Sequence, residues 1–441
     1  MTVKYDVIII GWGKAGKTLA KKFAVEGKRV AVIERDREMA GGTCINIACI
    51  PTKTLANDSF QGRTYADAFD RRNLVVKKLN ESNFQNLATE KTLDIYFGAG
   101  SFISDEELIV RAGNESIVLK GELIFINTGA ESYIPKIRGL KESNHVYDST
   151  QLQKLPHLPK RLGILGAGNI GLEFAAIYSG FGSRVTLIES GTQILKREEP
   201  EIRKAIQDEL ESQGVQLLLK TVITNIENSA SEEVEVTTET GEILFFDALL
   251  VATGRKPAVE LLELKKTGIK RTADGGIWTN DYLRTTVDHI FALGDVRGKE
   301  QFTYTSLDDV RIIDSYLNGD QSYSLESRQN IPYSIFINPP LARVGLTEAE
   351  AVNAGLKIRT TILPVAKMPR AHVVGDSRGL FKSVIEKDSN RILGVSLFGP
   401  EAPEIINIVK LAMDYNVPAT ALQNQVFTHP TMAENLNDLF K

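Results

Sequence analysis

One supersecondary pattern occurs twice in this 441-residue chain. In the first copy the apolar run Val7 to Ile10 leads into Gly11-Trp12-Gly13-Lys14-Ala15-Gly16, followed by a helix-like stretch, Gly27, and the apolar run Val30 to Ile33 ending at Glu34. In the second, Leu162 to Leu165 leads into Gly166-Ala167-Gly168-Asn169-Ile170-Gly171, then Gly182 and Val185 to Ile188, ending at Glu189. Gly27 and Glu34 follow Gly11 by 16 and 23 residues, and Gly182 and Glu189 follow Gly166 at the same spacings. Each copy reads as strand, G-x-G-x-x-G turn, helix, strand and terminal acid, the dinucleotide-binding βαβ unit. Gly11 and Gly166 make the tight turn, Gly13 and Gly168 admit a pyrophosphate to the backbone, and Gly16 and Gly171 let helix pack on strand. The helix N-termini offer free N–H groups to the anion, and Glu34 and Glu189 are placed to accept from ribose hydroxyls. Such a chain folds as α/β with two Rossmann-like halves and binds two dinucleotides. A carboxylate at Glu189 repels the 2′-phosphate of NADP, so NADH is the expected ligand of the second unit. Lys196 and Arg197 follow closely enough to keep NADPH possible, although a solvated helix end is their more ordinary role.

Between the two units lies Gly41-Gly42-Thr43-Cys44-Ile45-Asn46-Ile47-Ala48-Cys49-Ile50-Pro51-Thr52-Lys53, which holds the only two cysteines of the chain. Two thiols cannot staple a secreted scaffold, nor do they make the paired clusters of a zinc or iron–sulfur site, so no metal site is expected. A distorted helical turn would bring Cys44 and Cys49 within bridging distance. The start of a helix and Lys53 both favour the thiolate, which points to redox chemistry over inert burial. The net charge of -4 gives no case for nucleic acid or an anionic membrane as partner. No apolar run approaches the ~18 residues of a membrane span, and the opening Thr2-Val3-Lys4-Tyr5 leaves no room for a secretion signal. A cytoplasmic protein is the expectation.

Further motifs follow in order: Ile126-Asn127-Thr128-Gly129-Ala130, Thr253-Gly254-Arg255-Lys256-Pro257, Ile290 to Gly294-Asp295, and Thr428-His429-Pro430-Thr431-Met432-Ala433-Glu434. Taken with G-G-T-C-x4-C-x-P-x-K, they resemble the flavin-dependent class I pyridine nucleotide-disulfide oxidoreductases across essentially the whole chain. The resemblance implies that the first unit binds FAD, with Glu34 on the adenosine ribose, Gly42 and Thr43 beside the cofactor, and Gly294 and Asp295 at the ribityl chain. It implies that Thr128, Gly129, Thr253 and Gly254 make close-approach turns, and that Lys53 and Glu173 pair near the flavin. Electrons would then pass from the nicotinamide to the flavin, to Cys49, and out through Cys44. Cys44 needs a base. Of five histidines, His145, His157, His289 and His372 sit in surface or structural contexts. His429 alone has an acid, Glu434, spaced to orient its ring, and the resemblance places it against Cys44 of the other subunit, hence a homodimer. The implied organisation is an FAD domain over residues 1–150 and 258–326, an NADH domain inserted at 151–257, and a C-terminal α+β dimerisation domain over 327–441.

Departures from the pattern narrow the substrate. Mercuric reductases carry extra C-terminal cysteines and a tyrosine where this chain has His429. Lipoamide dehydrogenases usually show His-x-His-Pro where this chain has Phe427-Thr428-His429-Pro430. Gly13-Lys14-Ala15-Gly16-Lys17-Thr18, the C-I-N-I-A-C segment and Phe302-Thr303-Tyr304-Thr305-Ser306-Leu307-Asp308-Asp309 are most similar to the bacterial reactive-chlorine-resistance branch, which includes hypothiocyanous acid reductases and copper(II) reductases. The expected acceptor is therefore a small thiol-reactive oxidant, or Cu(II), in oxidative-stress defence. The alternatives are lipoamide dehydrogenase and a flavin-binding sensor whose cysteines do not turn over.

Overall fold

The structure, a computed structural model, describes residues 2–229 and 233–441. The first glycine unit builds one half of a seven-stranded sheet. Strand Thr2–Ile10 lies parallel between Val30–Glu34 and the long strand Glu115–Ile126, with Leu93–Phe97 beyond Val30–Glu34. The far end of Glu115–Ile126 pairs in parallel with Ile290–Ala292, so the chain returns to this sheet after a long excursion. Alternate residues feed opposite cores, as the two-residue period of a strand requires. Val7, Ile9, Val30 and Val32 pack with Leu19 and Phe23 of helix Lys14–Val25, whereas Ile8, Ile10, Ala31 and Ile33 pack with Phe102 and Leu108 on the other face. Both faces are buried, which is why these strands read as unbroken apolar runs.

The second unit repeats the arrangement in a five-stranded sheet ordered Gln216–Leu219, Arg184–Glu189, Arg161–Leu165, Ala248–Val251, Val146–Tyr147, all parallel. Helix Asn169–Gly180 covers one face, and a three-stranded antiparallel layer, Ile223–Asn228, Val234–Thr238 and Ile243–Phe246, covers the other. This sheet draws its edge strand from Val146, slightly ahead of the glycine unit itself. The chain enters and leaves it side by side, through Ala130–Ser132 and Arg255–Pro257, which pair antiparallel.

The last sheet is antiparallel, in the order Tyr333–Ile335, Leu341–Gly345, Ile392–Phe398, Leu380–Glu386, Ile358–Pro364. Helix Ala402–Asp414 covers one face through Ile405, Ile406, Val409 and Ala412, while Leu411 and Tyr415 point outward and are 59% and 76% exposed in the single chain. His372, read from sequence as a surface or structural residue, lies on the helix Pro369–Val374, its ring bonded to the Ala366 carbonyl.

Two helices position the redox segment. Cys49–Phe60 packs on Asn169–Gly180 so closely that a Cβ at Gly180 would stand 2.3 Å from Ser59 Oγ, and Ser59 Oγ donates to the Ile177 carbonyl at 2.8 Å. The 24-residue helix Tyr65–Ala88, which no motif announces, braces the cysteine segment through Asn80, whose Nδ2 donates to Asn46 Oδ1 at 2.9 Å and to the Ala40 carbonyl at 3.3 Å. Among the described residues no helix is long and apolar enough to cross a membrane.

Candidate active site

The two glycine loops are near copies in three dimensions. Gly11 and Gly166 adopt φ of +100° and +108°, left-handed conformations that favour glycine. A Cβ on Gly16 would stand 2.5 Å from the Gly11 carbonyl oxygen, and one on Gly171 would stand 2.0 Å from that of Gly166, so the third glycines serve contact between helix and turn. Glu34 Oε2 accepts from the Trp12 N–H at 3.0 Å, and Glu189 Oε2 accepts from the Ala167 N–H at the same distance. The middle glycines differ. Gly13 faces Asn127, whose Oδ1 would lie 2.4 Å from a Cβ, whereas Gly168 has open space where a side chain would stand.

A cavity of about 2790 Å³ runs past both loops. It is lined by Gly11, Gly13, Glu34, Gly42, Thr43, Thr128, Gly129 and Asp295 on one side, by Gly166, Gly168, Glu189, Thr253 and Gly254 on the other, and by Cys44, Cys49, Lys53 and Glu173 between them. Gly294 stands behind the wall at φ +69°, where a Cβ would be 2.9 Å from Ser306 Oγ. Its position serves packing beneath Asp295.

The cysteines do not share one distorted helical turn. Cys44 lies on the short helix Thr43–Asn46, and Cys49 is the first residue of Cys49–Phe60. Ile47 and Ala48 break the helix between them, with φ of -139° and -132°, and buried Gln153 holds the break by donating from Nε2 to the Ile47 carbonyl at 2.8 Å. The thiols diverge in acidity. Cys49 is pulled down to about 6, first by its hydrogen bond from Cys44 and also by Thr303 and the Lys53 charge, against burial. It stands at the positive end of its helix, and its Sγ lies 3.7 Å from Thr303 Oγ1. Cys44 moves the other way, because it keeps the shared proton and burial disfavours its anion. From sequence, the helix start and Lys53 favour the thiolate for the pair without separating its members; in the structure the effect falls on the helix-initial thiol.

Lys53, one turn along, donates to Glu173 Oε2 at 2.6 Å. Glu173 Oε1 accepts from the Phe336 N–H at 2.9 Å, and the Lys53 ammonium lies 5.0 Å from the Phe336 ring centre. The cysteine helix Cys49–Phe60, the helix Asn169–Gly180 of the second glycine unit and the residue that follows strand Tyr333–Ile335 of the last sheet therefore meet at this ion pair. Asp295 faces the cavity with its carboxyl pushed up by burial, which the Arg255 charge opposes. His429 and Glu434 form their own pair elsewhere: Nδ1 stands 2.8 Å from Glu434 Oε2, and Glu434 Oε1 accepts from the Thr431 N–H at 3.1 Å. A carboxylate only accepts, so the ring proton belongs on Nδ1 and Nε2 is left for other work. The His429 side chain is 68% exposed and does not line the cavity of its own chain.

Residues 5–310 match the pyridine nucleotide-disulphide oxidoreductase family, and residues 331–440 match the dimerisation domain of the same family. The chain belongs to this family. As a pyridine nucleotide-disulphide oxidoreductase it is a flavoprotein enzyme that uses a pyridine nucleotide, and the dimerisation domain supports a homodimer. It is 46% identical to the probable pyridine nucleotide-disulfide oxidoreductase RclA of Escherichia coli K12, over 99% of both chains. It is 32% identical to a mercuric reductase of Staphylococcus aureus, over 98% of this chain and 81% of that one. It is 30% identical to the mitochondrial dihydrolipoyl dehydrogenase of Pisum sativum, over 98% and 90%. A solved structure titled as the Cu(II) complex of the HOCl-induced flavoprotein disulfide reductase RclA from Escherichia coli superposes with a TM-score of 0.97 at 46% identity, covering 99% of each chain.

The walls of this oxidoreductase fit the groups its family implies. At Gly168 the open space a Cβ would fill faces the cavity, and the part-buried carboxyls of Glu34 and Asp295 face the same space. Other contributors escaped the sequence. Asn127 fixes the first loop, accepting from the Gly16 N–H at 2.9 Å and donating to the Leu293 carbonyl at 2.8 Å. Asp309, 1% exposed, accepts from the Gly294 N–H at 2.6 Å and pairs with Arg328 and Arg297, so the turn carrying Asp295 rests on buried charge. The adjacent acids of Asp308-Asp309 on an apolar helix were the available signal.

Proposed function

We propose that the enzyme passes electrons from NADH through FAD and the Cys44–Cys49 disulfide to a small thiol-reactive oxidant, of the hypothiocyanous acid or chlorine-derived class or Cu(II), in cytoplasmic oxidative-stress defence. The observation that carries this is the cysteine pair in the wall shared by both nucleotide loops, with the two thiols driven to opposite acidities. The RclA relative, described as HOCl-induced and solved with Cu(II), supports the substrate class. FAD would lie along Gly11, Gly13, Glu34, Gly42, Thr43, Thr128, Gly129 and Asp295, backed by Gly16 and Gly294. NADH would lie along Gly166, Gly168, Glu189, Thr253 and Gly254, backed by Gly171. Bound together, these cofactors supply the two electrons that open the disulfide.

The chain's own residues do the rest. Cys49 holds the negative charge, stabilised by its helix start and Lys53, while Glu173 keeps Lys53 in place. Cys44 attacks the electrophile. With hypothiocyanous acid, His429 Nε2 takes the Cys44 proton, the Cys44 thiolate bonds to the thiocyanate sulfur, and the hydroxide that leaves takes that proton from His429 and departs as water. Cys49 then attacks Cys44 sulfur, expels thiocyanate and restores the disulfide. His429 and Glu434 would come from the partner subunit, which accounts for their exposure in the single chain. Soft thiolates also suit Cu(I), the product of copper reduction.

A panel of acceptors under NADH tests this reading. Steady NADH oxidation with hypothiocyanite or Cu(II), and little NAD reduction with dihydrolipoamide, is expected; the reverse pattern would make the protein a lipoamide dehydrogenase. Coenzyme preference provides a second test. Glu189 is held by the Ala167 and Gly191 N–H groups at 3.0 and 2.8 Å, and Lys196 stands 4.0 Å from it. Glu189→Ala should narrow the NADH-over-NADPH ratio of kcat/KM by about tenfold or more, a change of ~1.4 kcal/mol. An unaltered ratio would remove Glu189 from coenzyme choice.

A further inference from the structure

Gln153 is fully buried behind the cavity wall, just after the short helix Ser149–Leu152. Its segment is held from both sides: Tyr65 Oη donates to the Leu155 carbonyl at 2.8 Å, and Tyr178 Oη donates to the Leu152 carbonyl at 3.2 Å. The amide is used at both ends. Nε2 donates to the Ile47 carbonyl at 2.8 Å and to the Ser149 carbonyl at 2.9 Å, while Oε1 accepts from Arg72 Nη2 at 3.3 Å. Arg72, on helix Tyr65–Ala88, is 5% exposed and donates from its other terminal nitrogen to Asn73 Oδ1 at 2.6 Å. A primary amide suits this place because it can take a bond from a guanidinium and give two to carbonyls; a carboxylate donates none and a hydroxyl only one. A cationic donor on Oε1 polarises the amide and strengthens the N–H groups at its other end, the more so in a buried setting. What receives that bond is the hinge of the redox segment. The Ile47 and Ala48 N–H groups both turn back to the Thr43 carbonyl, at 3.0 and 2.9 Å, and Ala48 leads directly into Cys49. Fixing the Ile47 carbonyl therefore fixes how the helix that carries Cys44 sits against the helix that begins with Cys49.

We propose that Arg72 and Gln153 form a buried relay that holds the break at Ile47 and so places Cys44 against Cys49. Both are positioning residues, and neither lines the cavity. The charge of Arg72 reaches the redox segment through one amide, which anchors the disulfide loop to the entry of the second nucleotide domain. This rests on the relay of electrons through Cys49 and Cys44 proposed above.

The test is a double-mutant cycle on the flavin-loaded enzyme. In Cys44→Ser the new hydroxyl still donates to Cys49, and long-wavelength absorbance against pH gives the midpoint of the Cys49 thiolate. Gln153→Met keeps the shape but neither donates nor accepts with the strength of an amide, so the donor drifts and the midpoint should rise by about one pH unit, tenfold in acid constant. In Cys44→Ala that donor is already gone, and Gln153→Met should leave the midpoint where it was. The other groups facing Cys49, namely Thr303, Lys53 and Glu173, are the same in every variant. An unmoved midpoint in Cys44→Ser overturns the relay. An equal rise in both backgrounds overturns it too, because that would mark a general loosening of the helix start. Arg72→Met leaves the amide and removes its polarising cation, so it should give a smaller rise, again confined to Cys44→Ser; no rise there overturns the part of Arg72. This variant also carries the comparison should Gln153→Met lose flavin. Alkylation of the single cysteine by iodoacetamide, in which sulfur displaces iodide, yields the same midpoints independently of the flavin. If Cys44→Ser shows no long-wavelength band, the flavin-side thiol is reassigned, and the alkylation midpoints still decide the relay.

Discussion

Cys44→Ser is expected to lower oxidant turnover by more than ~10³-fold, the scale on which loss of a covalent nucleophile is felt. The serine hydroxyl cannot form the sulfur adduct, yet it can still donate a hydrogen bond to Cys49. That bond is the foremost reason Cys49 is held at about 6. The variant should therefore keep a Cys49 thiolate beside oxidised flavin and show long-wavelength absorbance above that pH. The sign follows from the raised acidity: the thiolate is present above about 6 and is lost as pH falls through it. Cys44→Ala removes the donor as well, so its absorbance should titrate at higher pH. Absorbance titration of both variants beside a turnover assay checks the whole set. Near-normal turnover in Cys44→Ser would end the relay from Cys49 through Cys44.

What the sequence made legible is what backbone sterics demand. Gly11 and Gly166 must reach φ near +100°, and Gly16 and Gly171 must let carbonyls approach within a Cβ's reach, so the residues are dictated locally and recur at fixed spacing. The strands announced themselves because both sheet faces are buried. The contrast between the cysteines was hidden, since it depends on where the helix breaks. That break rests on Gln153, more than a hundred positions away in the chain, donating to the Ile47 carbonyl. Phe336 was equally hidden, because it contributes a backbone N–H and a ring face, neither of which its identity advertises.

His429→Gln should slow reduction of a proton-requiring oxidant by ~10²–10⁴-fold, the usual range for loss of a general acid–base group, while NADH still reduces the flavin at its normal rate. The imidazole is held for this work: Glu434, itself fixed by the Thr431 N–H, accepts the Nδ1 proton and leaves Nε2 to exchange one with the substrate side. Glutamine keeps a hydrogen-bonding end but cannot take and return a proton at neutral pH. Stopped-flow traces of flavin reduction beside steady-state rates separate the two halves of the reaction. Because His429 does not line its own chain's cavity, mixing provides the sharper test. A dimer made of one Cys44→Ser subunit and one His429→Gln subunit would contain one site with an intact Cys44 and an intact His429, and one site lacking both. If His429 serves the partner, neither homodimer turns over well and the mixed dimer recovers about half the wild-type rate per dimer. If His429 serves its own chain, every site in the mixed dimer is damaged and no activity returns. The arrangement of subunits can thus be read from a rate.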